Sequence, residues 1–271
     1  MNKAEERAEM PEGSAPVLEY RSLEKDYRTL IPAISPGMHV LDVGCGPGAI
    51  SRGIANLVGE EGSVTGIDSS RHLIERGKQL YTGIGNLELV HSDLFSYKPK
   101  GLFDLVIAAR VLQWLDNPGE ALKKIRSLLK PGGMVSILDY NHTTLEWQPE
   151  PPESMRQFYQ AFLKWRADAG MNNQIAEDLP RYLEETGYTD IETFDANESY
   201  AKDRPDFLPK IRIWTKVAET RGRQMVEEGY LSESDRLRAI EEYEHWISAE
   251  SRAMVMKLTD VRGIRRSNGA S

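Results

Sequence analysis

Cysteine is nearly absent: Cys45 stands alone among 271 residues. Neither an internal disulfide nor a multi-cysteine metal site can form, and a reducing cytoplasm is the default compartment. Basic charge is also short, with 34 Lys and Arg against 42 Asp and Glu for a net charge of −8. General attraction to phosphate backbones or anionic lipid is therefore excluded, and no nucleic-acid partner is expected. No apolar run approaches ~18 residues without a charge, so no membrane-spanning helix is expected. Glu5, Glu6, Arg7 and Glu9 stand where a signal peptide would be apolar. Internal repeats and low-complexity segments are missing too. What remains, 40% hydrophobic and 28% charged, is ordinary globular composition, which rules out a disordered or collagen-like chain.

Residues 1–16 are polar, with Pro11, Gly13 and Pro16, and read as a mobile tail without a catalytic role. Residues 17–271 then read as one domain with its core at 40–141. Short apolar runs at Val40 to Val43, Val64 to Ile67, Leu87 to Val90, Phe103 to Ala108 and Met134 to Leu138 alternate with amphipathic stretches, the rhythm of βαβ units. Asn117-Pro118-Gly119-Glu120 marks a helix start, and Pro131-Gly132-Gly133 its stop. Beyond Asn141 the rhythm changes. Met155, Phe158, Phe162 and Trp165 recur at helical spacing, and Ser232 with Asp235 resembles a capping box. Residues 145–175 and 203–248 are thus expected to be helical insertions that, with the segment from Val17 to Ile31, cover the ligand side. Ile191 to Phe194 and Met254 to Val261 are expected as late strands.

Val40-Leu41-Asp42-Val43-Gly44-Cys45-Gly46-Pro47-Gly48 is a buried strand followed by a glycine turn and a helix. Glycines let a ligand approach the main chain, and a helix N-terminus offers unpaired N–H groups. About twenty residues on, Asp68 ends the second apolar run, where a carboxylate can accept from both hydroxyls of a ribose. Gly44, Gly46 and Ala49 also satisfy a dinucleotide spacing, which leaves a nicotinamide oxidoreductase in play. Asp42 weighs against it, because a carboxylate repels a pyrophosphate and suits an ammonium or sulfonium. Cys45 is expected to pack in a crowded loop rather than act as a nucleophile.

These residues resemble the class I S-adenosylmethionine-dependent methyltransferases. The resemblance rests on V-L-D-V-G-C-G-P-G at 40–48, G-I-D-S-S at 66–70, H-S-D-L at 91–94, F-D-L-V-I-A-A-R-V-L-Q-W-L at 103–115 and L-K-P-G-G at 129–133. It is most similar to the branch associated with quinone-biosynthesis and secondary-metabolite methyltransferases. The resemblance implies an α/β, Rossmann-like fold: a seven-stranded, mostly parallel sheet with helices on both faces and an antiparallel final strand. It implies S-adenosyl-L-methionine as cofactor, a small-molecule acceptor and no metal. Gly44, Gly46 and Gly48 would lie near the methionine part, with Asp42 beside them. Asp68 and Ser69 would meet the ribose, Asp93 and the Leu94 backbone the adenine, and Ala109 and Arg110 would flank the cofactor. Tyr20, Arg21 and Tyr27 are further candidate contacts from the N-terminal part. The motif that amino-group and nucleobase methyltransferases carry after the fourth strand is replaced by Ala108-Ala109-Arg110, which disfavours that chemistry. Tyr140 and His142 follow the fifth strand at the edge where ligands bind and are the candidate acid–base residues. A cofactor-sensing protein without turnover is the remaining alternative.

Overall fold

The computed structural model describes residues 3–9 and 18–266. β1 (His39–Val43), β2 (Ser63–Asp68), β3 (Leu87–His91), β4 (Phe103–Ala109) and β5 (Leu129–Gln148) contain all five expected apolar runs. They pair in parallel in the order β3-β2-β1-β4-β5. β8 (Ala253–Arg265) lies antiparallel between β5 and β6 (Tyr188–Asp195), which completes the seven-strand path. A short eighth strand, β7 (Glu198–Ala201), pairs with the start of β8. From β1 the chain winds outward through β2 and β3, then returns to β4 on the other side. That reversal between β1 and β4 is the topological switch point, where open α/β sheets bind ligands at the carboxyl ends of their strands.

The N-terminal expectation needs correcting. Lys3–Ala8 form a helix, α1, where a mobile tail was expected; residues 1, 2 and 10–17 lie outside the described residues. Ala4 is buried with Ala169 and Met171 against Trp114. The Arg7 guanidinium donates to the Trp165 carbonyl and Glu228, and lies 4.9 Å over the Trp165 ring. One small residue and one arginine stem do this docking, so composition alone reads the segment as solvated.

α2 (Leu23–Asp26) is capped by the Ser22 hydroxyl. α3 (Ala49–Val58) and α4 (Arg71–Leu80) connect the first three strands. α5 (Pro118–Leu128) begins where expected, with the Asn117 side chain accepting from the Glu120 N–H. α6 (Glu153–Ala167) buries Met155, Phe158, Phe162 and Trp165. α7 (Ile175–Glu185) packs with β6, whereas α8 (Phe207–Ile211), α9 (Ile213–Glu219), α10 (Arg221–Glu227) and α11 (Glu233–Ala249) build the second helical insertion. Among the described residues, no helix is long and apolar enough to cross a membrane.

Candidate cofactor cleft

The turn after β1 is built from left-handed residues. Gly44 has φ +69°, and a Cβ there would stand 2.5 Å from Val111 Cγ2; Gly48, at φ +84°, would meet Leu89 at 2.9 Å. Only glycine satisfies both the conformation and the space. The Gly44 and Cys45 N–H groups donate to the Ile67 carbonyl at 2.8 and 3.1 Å, which ties the turn to β2. Asp68 completes the tie. Its Oδ2 accepts from the Gly46 N–H and its Oδ1 from the Ser70 N–H, each at 2.8 Å. Neither Asp68 nor Ser69 caps α4, whose N-cap residue is Ser70.

Two carboxylates therefore stand at one end of a cleft of about 630 Å³. Burial pushes both up from the usual carboxylate range. Asp42 reaches about 7, with the charge of Asp68 adding to burial and the Ser51 hydroxyl, 2.6 Å away, offsetting part. Burial and the same two carboxylates push the Cys45 thiol well up, which keeps it protonated and inert. Arg21, Asp42, Gly44, Gly46, Asp68 and Ser69 line the cleft, as do Asp93, Leu94, Ala109 and Arg110. Gly48, the N-cap of α3, does not itself line the cleft, although its neighbours Pro47 and Ala49 do. Asp93 also accepts from the Phe95 and Ser96 N–H groups through Oδ1.

Four candidates lie elsewhere. Tyr20 is 85% exposed and does not line the cleft. Tyr27 is buried because α2 packs Leu23 and Tyr27 into the core; its hydroxyl meets Ser136 Oγ at 2.8 Å. The fifth strand does not end near Leu138 but continues to Gln148 against β8, so Tyr140 stays paired in the sheet, opposite Leu258, while His142 falls in the irregular stretch between Asn141 and Glu146 and donates its N–H to the Asn173 carbonyl at 2.8 Å. The Tyr140 hydroxyl accepts from Arg110 Nε at 2.9 Å. His142 Nε2 meets Gln113 Oε1 at 2.6 Å, and the ring packs edge-on to Phe162 and Trp214. Burial, then Arg166, pulls the His142 pKa well below the usual value, so the ring is neutral near pH 7. Neither Tyr140 nor His142 lines the cleft.

Further residues complete the walls. Ala8, Glu9 and Leu18 reach over the cleft from the N-terminal part, and Val111 and Trp114, which lie in the 103–115 motif but were not expected as contacts, from the turn after β4. Trp114 is held between the Arg166 and Arg221 guanidiniums at 4.8 and 4.9 Å from its ring centre. No residue of 145–175 or 203–248 lines the cleft. Those helices instead hold α1, through the Trp165 carbonyl and Glu228 on Arg7 and through Arg221 on the Glu9 carbonyl. Among the described residues no cluster of His, Cys, Asp or Glu could hold a metal ion.

A family described as a methyltransferase domain matches residues 34–202. A demethylmenaquinone methyltransferase of Staphylococcus aureus (strain JH9) is 29% identical over 177 residues, covering 58% of this chain and 70% of its own length. Among solved structures, a phosphoethanolamine N-methyltransferase 2 of Haemonchus contortus in complex with S-adenosyl-L-methionine aligns with a TM-score of 0.52 at 17% identity. That alignment covers 88% of this chain and 53% of the other, so the chain spans about half of it. The YcgJ protein of Bacillus subtilis aligns with a TM-score of 0.57 at 14% identity, covering 91% and 100%. The [4+2]-cyclase SpnF aligns at 0.55 and 17%, covering 92% and 85%.

Proposed function

The chain belongs to the methyltransferase-domain family and is an S-adenosylmethionine-dependent methyltransferase, and from that premise we propose that it methylates a small organic acceptor at the β4 end of the cleft. The observation that carries this reading is the acidic glycine turn at the switch point, where the buried Asp42 and the half-buried Asp68 face a cleft of about 630 Å³. That chemistry fits a cofactor bearing an ammonium, a sulfonium and a ribose, and repels a pyrophosphate.

When bound, S-adenosylmethionine supplies an electrophilic methyl group for in-line transfer. Asp68 would accept from the ribose hydroxyls, with its second lone pairs already holding the turn. Asp42 would pair with the ammonium. Asp93 and the Leu94 backbone would meet the adenine, and Ser69 and Ala109 would complete the walls. Holding acceptor and methyl in register is worth ~7 to 11 kcal/mol of barrier reduction. Tyr140 serves as a positioning residue, because its hydroxyl orients Arg110, and His142 as a packing residue tied to Gln113. The relatives named for demethylmenaquinone support a small-molecule acceptor. The lone cysteine and the charge support a cytoplasmic location.

The test supplies methyl-labelled cofactor with fractionated small-molecule extracts. Label is expected in one small product, with S-adenosylhomocysteine formed in equal amount. Absence of both from every fraction, in a protein that binds the cofactor, would overturn turnover and leave a sensor.

A further inference from the structure

Arg110 is the residue where β4 gives way to the cleft, and it is strained and buried at once. Its φ is +63°, its exposure 5%, and its N–H is held by the Leu138 carbonyl. A β-region strand end would need no such conformation, and non-glycine residues in the left-handed region concentrate at functional sites. Three of its donor interactions are satisfied: Nε on the Tyr140 hydroxyl, and Nη2 on the Asp26 carbonyl at 3.0 Å and the Glu198 carboxylate. Nη1 is buried without a partner among the described residues. An orphaned guanidinium donor is costly unless something occupies its place.

Arg21 lines the same cleft. No hydrogen bond or ion pair holds its guanidinium among the described residues, and the charges that act on it include Arg110, Asp26 and Glu198. Burial and the repulsion of Arg110 lower its pKa, as two guanidiniums sharing one space without an anion between them should. The carboxylates nearby are already used, Asp26 by Lys210 and Glu198 by Arg110. Three cations thus face two anions. A cofactor with an ammonium, a sulfonium and one carboxylate adds a further positive charge. Arg110 is held by Tyr140 on β5, Glu198 on β7 and the Asp26 carbonyl, and in the sheet order β5 and β7 lie beyond β4 from the glycine turn of β1, which favours the acceptor end for its orphaned donor.

Resting on the reading under Proposed function, we propose that Arg21 and Arg110 together bind a carboxylate of the methyl acceptor, making the substrate an organic acid. Arg21 can offer such a group its planar fork in a bidentate pair, and Arg110 its one unpartnered Nη1 in a charge-assisted bond.

The experiment saturates the full chain with S-adenosylhomocysteine and titrates benzoate and benzamide as probes, by ligand-observed NMR and calorimetry. Benzoate is expected to bind about tenfold or more tightly than benzamide. Arg21→Gln should lose that preference and Arg21→Lys should keep part of it. Arg21 has no bonded partner to orphan, so neither variant should unfold. Equal binding of the two probes, or no binding of benzoate, overturns the proposal. So does a loss of S-adenosylhomocysteine affinity in Arg21→Gln that methylthioadenosine, which lacks the amino acid, does not share; the pair would then hold the cofactor's own carboxylate. Failure of the parent protein to bind S-adenosylhomocysteine would instead overturn the methyltransferase reading, before any probe is added.

Discussion

Asp42 and Asp68 share one end of the cleft but carry different work. Asp68 binds the glycine turn from β2, so Asp68→Ala should loosen the turn as well as remove a ribose acceptor. At ~1.5 to 3 kcal/mol per bond to a charged group, S-adenosylhomocysteine should bind about tenfold to a hundredfold more weakly, and calorimetry on the folded variant measures it. An unchanged dissociation constant would remove Asp68 from the site. Asp42 titrates near 7 in the free protein. A cationic cofactor favours its ionised form, so affinity should rise with pH through about 7 and then level, and Asp42→Asn should flatten the profile. Affinity that falls across pH 6 to 8 would contradict the ammonium contact. Gly44→Ala puts a Cβ 2.5 Å from Val111 in a left-handed conformation. A stability loss of ~1 to 3 kcal/mol is expected in chemical denaturation.

At the scale of elements, legibility followed periodicity. The five parallel strands, the Asn117 and Ser232 caps and the buried aromatic face of α6 each announce themselves through short apolar runs, capping residues or helical spacing. α3 shows the limit: Ile50, Ile54 and Val58 are buried as their spacing implies, but Leu57, on the same face in the last turn of the helix, is 39% exposed. β5 was legible as a strand but not in length, because its continuation past Leu138 is held by pairing to β8 more than a hundred residues later. That misplaced Tyr140 and His142. α1 was illegible because it is docked by Arg7 rather than by an apolar stripe. The motifs carried the cleft floor; of the N-terminal roof, Leu18 falls in the segment expected to cover the ligand side, whereas Ala8 and Glu9 left no comparable signal. Arg7→Ala removes the bonds to Trp165 and Glu228 and the stacking on Trp165, so amide exchange across residues 3–9 should speed up while β1 to β5 stay protected. S-adenosylhomocysteine should also dissociate faster through the opened roof. Equal exchange in both proteins would show that α1 does not depend on this clamp.

For the molecule as a whole, two buried carboxyls carry a stability cost: Asp42 in the cleft, where ligand offsets it, and Asp139 outside the cleft, which accepts from the Gln113 and Tyr140 N–H groups. Asp42 and Asp139 ordinarily titrate near 3.8, and burial pushes each to about 7. Between those values the folded chain holds protons that the unfolded chain has released. Folding therefore weakens as pH rises through this window, and that loss is complete above about 7. The free protein should melt at lower temperature at pH 8 than at pH 6, and Asp42→Asn should narrow the difference. Bound cofactor should narrow it too, by pairing with ionised Asp42. The central claim is that the switch-point cleft selects a sulfonium nucleoside over a dinucleotide, and calorimetric titration of the full chain with S-adenosylmethionine, S-adenosylhomocysteine and NAD tests it most directly. Saturable one-to-one binding of the first two, with no heat from NAD, is the expected result; binding of NAD without binding of either sulfur nucleoside would contradict it.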